Sequence, residues 1–179
     1  TPSMYTDTLV EYDLTPVVMS SENAEAISNA AQKAGKTVLG YVAIDTGMGR
    51  IGYLADDFSV VDDIKKITSL SNFKMKGVFS HFATADAADK TFAHLQESKF
   101  QAFVDEMEKA GIKVPAKTFA NSAAVMEIPS AHFDTVRPGI VLYGCYPSDE
   151  VNPSQLEIKP VMSVKANIVR LVKVPVGFS

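Results

Sequence analysis

The run Val38-Leu39-Gly40-Tyr41-Val42-Ala43-Ile44 constrains the fold more than any other segment. It is short and nearly all apolar, the pattern of a strand buried on both faces, and such strands belong to parallel sheets flanked by helices. Its neighbours agree. Upstream, Thr15-Pro16-Val17-Val18-Met19 reads as a strand, with Ser20 and Ser21 as N-cap candidates, Ala24, Ile27, Ala31 and Ala34 at helical spacing, and Gly35 at the helix end. Downstream, Phe58, Val61, Ile64 and Ile67 mark a second helix, and Gly77-Val78-Phe79-Ser80-His81 another strand. Phe100, Phe103, Met107 and Ala110 share the face of a third helix closed by Gly111. Residues 117–120 read as a strand entering a short helix over 123–126. A last strand candidate spans 135–142, interrupted at Pro138-Gly139 before Ile140-Val141-Leu142. Alternation of this kind is the signature of βαβ units, so the fold class is α/β with a parallel sheet.

These units are too few to close an eight-stranded barrel, which takes about 250 residues. An open barrel would leave bare sheet edges, so the chain is expected to be part of a longer enzyme. Residues 147–155 are polar and include Pro147 and Pro153, which marks a linker. Beyond it Met162, Val164, Ala166 and Ile168 alternate with Ser163, Lys165 and Asn167, the pattern of a half-exposed strand with no helix after it. The expected division is therefore an α/β unit at 1–146, a linker at 147–155 and the start of a β-type domain at 156–179.

Composition narrows the partners. Hydrophobic residues make up 46% of the chain, enough for one sizeable core. The net charge of -4 and the scattering of Lys and Arg among acidic residues leave no basic stripe for a phosphate backbone, so nucleic acid is not an expected partner. No stretch approaches the roughly 18 apolar residues of a membrane helix, and no membrane partner is expected. Cys145 is the one cysteine, which excludes an intrachain disulfide and makes the cytoplasm the default location. The histidines at 81, 94 and 132 lack metal-ligand spacing, and no metal is expected.

Polar motifs gather where strands end. Asp45-Thr46-Gly47-Met48-Gly49-Arg50-Ile51-Gly52 contains G-x-G-x-x-G, but a dinucleotide loop should open directly into a helix and carry an acidic residue about 20 positions later. Here the next helix waits until about Asp57, and no carboxylate stands near Asn72. The remaining readings are a turn that aims Arg50 into a site, as an anion ligand, or an exposed loop arginine. His81, at the end of Gly77-Val78-Phe79-Ser80, reads as a site residue or a satisfied core histidine. Asn121-Ser122 reads as an ordinary N-cap or one side of a phosphate site, since barrels bind phosphate at the loops after late strands. In Arg137-Pro138-Gly139-Ile140, the arginine reads as a surface ion pair or a site group, and Gly139 as a bulge or part of that same phosphate site.

Taken together these segments resemble alanine racemase, a fold-type III pyridoxal-phosphate enzyme. The likeness runs from Leu14-Thr15-Pro16 through Asp45-Thr46-Gly47-Met48-Gly49-Arg50, His81-Phe82-Ala83-Thr84-Ala85-Asp86, Ala120-Asn121-Ser122-Ala123-Ala124 and Val136-Arg137-Pro138-Gly139-Ile140 to Lys159-Pro160-Val161-Met162-Ser163. The resemblance implies the later strands of a (β/α)₈ TIM barrel that holds pyridoxal 5'-phosphate, running into a C-terminal β domain, in a head-to-tail homodimer. It implies racemisation of L- and D-alanine, or of a similar small amino acid, in supply of D-alanine for peptidoglycan. Asn121, Ser122, Gly139 and Ile140 would hold the cofactor phosphate and Arg137 would face the pyridine nitrogen. Arg50 would orient the cofactor phenolate and the substrate carboxylate, and His81 would lie beside the ring. The Schiff-base lysine and catalytic tyrosine of the family match no residue here, so this piece alone is expected to be inactive. Ala43 stands where many members carry a carbamylated lysine that braces the arginine, and Thr118 where a histidine often precedes the Asn-Ser pair. The alternatives are a serine racemase of the same fold and a non-catalytic pyridoxal-phosphate-binding barrel protein.

Overall fold

The apolar run at 38–44 becomes β2 (Val38–Asp45), the longest strand of a parallel sheet in a computed structural model that describes residues 2–178. Thr1 and Ser179, the outer limits of the two expected domains, lie outside the described residues. The chain runs through α1 (Thr6–Glu11), β1 (Val17–Val18), α2 (Ser21–Lys33), β2, β3 (Tyr53–Leu54), α3 (Val61–Ser69), β4 (Phe73–Phe79), α4 (Thr91–Lys109), β5 (Lys117–Thr118) and α5 (Ser122–Glu127). The strand order is β1-β2-β4-β5, with β3 paired to the end of β2, and all pairings are parallel. An isolated parallel bridge from Thr118 to Thr135 continues the arc. This is a segment of the expected barrel wall.

One face of the sheet builds the core. Val18, Val42, Ile44 and Val78 are buried with Ile27 of α2, Ile64 and Ile67 of α3, and Phe100, Phe103 and Met107 of α4. The helices begin where the sequence offers acceptors: the Ser20 side chain takes the Asn23 N–H, and Asp57 takes the Ser59 N–H ahead of α3. The other face carries Leu39, Tyr41 and Ala43, with Tyr41 opposite Gly77 and Ala43 opposite Phe79. Here the reading of β2 as covered on both faces needs correction, because Leu39 is 48% exposed. The helices cover one side only.

Other differences have local causes. β4 begins at Phe73, four residues before the expected start, because Lys74 and Lys76 alternate with apolar neighbours and conceal a half-exposed strand. Ile140-Val141-Leu142 is not a strand. It lies in a 3₁₀ turn over Ile140–Tyr143, since Pro138 has no N–H for a ladder and the Gly139 N–H goes to a side chain. The strand expected from the alternation at 162–168 is not formed among the described residues, where Val164 is 96% exposed and no neighbouring segment offers a ladder.

Candidate functional site at the strand ends

The C-terminal end of β2 turns on its own carboxylate. Asp45 Oδ1 accepts the N–H groups of Gly47 at 2.9 Å and Gly49 at 3.1 Å, folding the loop back so that 53–54 pairs with β2 as β3. Gly52 must be glycine, because its φ is +111° and a Cβ would sit 2.7 Å from the Ala43 carbonyl. The triplet thus returns to the sheet rather than opening a helix, which removes the dinucleotide reading. Arg50 projects beside Phe79, Ser80 and His81 in a small crevice. Among the described residues it has no hydrogen bond or ion pair, and Ala43 contributes only a buried methyl nearby.

Arg137 is the hub of the next layer. Its Nη1 donates to Thr118 Oγ1 at 2.5 Å, and its Nη2 to the carbonyls of Ser80 at 2.6 Å and Phe119 at 3.2 Å. The guanidinium lies 4.2 Å from the Phe79 ring centroid. Thr118 therefore supports Arg137 directly. Nη2 also lies 3.3 Å from His81 Nδ1, and since arginine only donates, that nitrogen is the acceptor and the proton of the neutral ring sits on Nε2. Burial, then the charges of Arg50 and Arg137, lower the His81 pKa to about 4. Burial and Arg50 lower Arg137 to about 10, which leaves it cationic at neutral pH.

The amide rim is built by α5 and the turn after Pro138. Asn121 Oδ1 accepts the Ala124 N–H at 3.1 Å, the N-cap expected from the sequence. Ser122 Oγ accepts the Gly139 N–H at 2.8 Å and so ties the two segments together. Among the described residues, the N–H groups of Ser122, Ala123 and Ile140 and the Nε–H of Arg137 have no acceptor. His81, Asp86, Asn121, Ser122, Arg137, Gly139 and Ile140 line one open cleft of about 310 Å³, and Arg50 shares His81 with it from the adjacent crevice.

The expected site residues His81, Asn121, Ser122, Arg137, Gly139 and Ile140 thus share one cleft, with Arg50 in the crevice beside His81. Asp86 and Pro147 of the cleft lining were not singled out for a role, although Asp86 ends the His81 motif. Residues 148–150 are tied to this rim, with Ser148 Oγ donating to the Asp86 carbonyl at 2.9 Å and Glu150 accepting the Ala88 N–H at 2.7 Å. Chemically the cleft and the adjacent crevice together offer two cations, a neutral histidine and free amides, a setting for an anionic ligand. Among the described residues no cluster of His, Cys, Asp and Glu could hold a metal ion.

Comparison with known proteins gives the same direction. Residues 1–147 match the family model described as alanine racemase, N-terminal domain. Alanine racemase of Clostridium novyi is 42% identical over 99% of this chain, which covers 46% of that protein, and alanine racemase of Clostridium tetani is 44% identical over 96%, covering 44%. The solved alanine racemase of Clostridium difficile in complex with cycloserine superposes with a TM-score of 0.86 at 36% identity, covering 89% of this chain and 44% of that one. The chain spans about half the length of the curated relatives it matches. By sequence, by the parallel wall of the sheet and by the rim at its strand ends, the chain belongs to the alanine racemase family, within its N-terminal barrel domain.

Proposed function

We propose that this chain is the cofactor-holding part of a pyridoxal-phosphate-dependent racemase that interconverts L- and D-alanine. The family is pyridoxal-phosphate dependent. The observation that carries the reading is the single cleft that gathers Arg137, His81, Asn121, Ser122, Gly139 and Ile140. The residues fit the group. The unpaired N–H groups of Ser122, Ala123 and Ile140 suit a phosphate, with Asn121, Ser122 and Gly139 shaping the turn. The unpaired Arg137 Nε–H suits a pyridine nitrogen.

When bound, pyridoxal phosphate supplies an electron-withdrawing ring that loosens the α-proton of an amino acid. Arg137, a permanent donor, would face the ring nitrogen without giving it a full proton, and would so temper that withdrawal. Two well-placed bases then have to take and return the α-proton, and the remaining half of the full-length protein would supply them as the Schiff-base lysine and tyrosine. Arg50, which has no ion pair among the described residues, binds the substrate carboxylate from the crevice beside His81. His81 stays neutral beside Arg137 and keeps a donor on Nε2.

The same reading takes residues 1–146 as barrel, 147–155 as linker and 156–179 as the start of a β domain, in a cytoplasmic homodimer that provides D-alanine for peptidoglycan. The end of the family match at 147 and the polar linker support the division. The test is the full-length protein with pyridoxal phosphate, assayed for D-alanine from L-alanine and for D-serine from L-serine. Alanine turnover that Arg50→Lys weakens by about tenfold or more through KM supports the reading. Cofactor binding with no racemisation of either amino acid would replace it with a non-catalytic carrier.

A further inference from the structure

Gln96 is the one amide side chain of α4 that is wholly buried, at 0% exposure. It sits on the same helix face as Ala93, Phe100, Phe103 and Met107, among apolar groups, where an unpaired amide would be costly. Every one of its polar atoms is used. Oε1 accepts the Ala83 N–H at 2.9 Å, which fixes the amide orientation, and Nε2 donates to Thr46 Oγ1 at 3.1 Å and to the His81 carbonyl at 3.3 Å. Thr46 Oγ1 lies 3.1 Å from Ser80 Oγ, and both hydroxyls are buried. Because Thr46 accepts from Gln96, its own hydroxyl hydrogen is free to go to Ser80, whose carbonyl in turn receives Arg137. The network thus joins the first residue of the Arg50 loop, the backbone on either side of Phe82, and the strand end that holds Arg137.

We infer that Gln96 is a positioning residue: from behind the rim it sets the Arg50 loop and the His81 turn against each other, and so the distance between the carboxylate-binding arginine and the ring-side histidine. The inference rests on the roles proposed above for Arg50 and His81. Gln96 and Thr46 line neither the cleft nor the Arg50 crevice, so their effect reaches the ligands only through backbone placement.

The experiment compares wild type, Gln96→Met and Thr46→Val in the full-length protein. Methionine keeps volume and helix propensity but removes both donor and acceptor, and Thr46→Val removes one hydroxyl without changing shape. Hydrogen exchange on the cofactor-free protein is expected to quicken by about tenfold at both 81–86 and 46–50 in Gln96→Met, with 99–107 of α4 unchanged. In the cofactor-loaded protein the KM for alanine is expected to rise by about tenfold in Gln96→Met and by a smaller factor in Thr46→Val, since a small displacement of a binding group is felt strongly. Exchange at 46–50 that stays at the wild-type rate overturns the coupling, as does a loss confined to kcat with KM unmoved. Should Gln96→Met not fold, Thr46→Val decides by the same readouts. If Arg50→Lys itself leaves KM unchanged, the role proposed for Arg50 fails, and the exchange rates alone then judge Gln96.

Discussion

At the scale of single residues, Arg137 carries more of this site than any other side chain. Its planar fork reaches Thr118, Ser80, Phe119 and His81 at once, a geometry that a lysine ammonium does not reproduce. Arg137→Lys is expected to destabilise the protein by about 1–3 kcal/mol, as buried carbonyls lose their donors, and to weaken cofactor binding; urea unfolding and cofactor titration check both. His81 gives a pH dependence whose sign follows from its pKa of about 4 against an ordinary value near 6.5. Between those values the unfolded chain binds the proton that the folded ring refuses, so stability falls as pH drops from about 6.5 toward about 4. His81→Asn should flatten that limb of the stability profile, while an unchanged limb would assign it to other groups. Glu127 acts in the same sense, since its pKa is also lowered and stability is lost as acid protonates it. Burial raises its pKa, but the Asn152 N–H at 2.6 Å and Lys90 at 2.5 Å outweigh burial and hold it below its usual range.

At the scale of elements, close backbone contact decides what the strands tolerate. A Cβ on Gly77 would stand 2.1 Å from the Ala116 carbonyl oxygen, so Gly77→Ala must push β4 and the approach to β5 apart. A loss of about 1–3 kcal/mol in unfolding free energy is expected, with the effect on cofactor binding as a second readout, since His81 and Thr118 hang on these two strands. The same contrast explains what was legible beforehand. β2, α2 and α4 announced themselves through an unbroken apolar run, the Ser20 cap and the Phe100-Phe103-Met107 stripe. The start of β4 was hidden because Lys74 and Lys76 face solvent, and Ile140-Val141-Leu142 looked like a strand although Pro138 had already broken the ladder. The rim residues were legible because each motif sits at a strand end. Gln96 was not, since a glutamine in a long helix reads as surface, although its spacing from Ala93 and Phe100 already placed it on the buried stripe.

At the scale of the whole molecule, the sheet has one finished face and one open one. Leu39 is exposed and Tyr41 half-buried on the face away from the core helices, as on the wall of a barrel completed by further strands. The segment at 148–152 is clasped rather than loose. Lys90 Nζ donates to the Ala85 and Ala87 carbonyls and to Glu127, whose other oxygen takes the Asn152 N–H. Glu127→Gln should quicken hydrogen exchange at 148–152 with little change in β2, which would show that the clasp is local to the rim. No helix among the described residues is long and apolar enough to cross a membrane. The central claim is that one rim surrounds one cofactor. Its most direct test is the crystal structure of the full-length protein soaked with pyridoxal phosphate. The account predicts the phosphate against Ser122, Gly139 and Ile140 with the ring nitrogen at Arg137; a phosphate held elsewhere, with Arg137 facing no part of the ring, would contradict it.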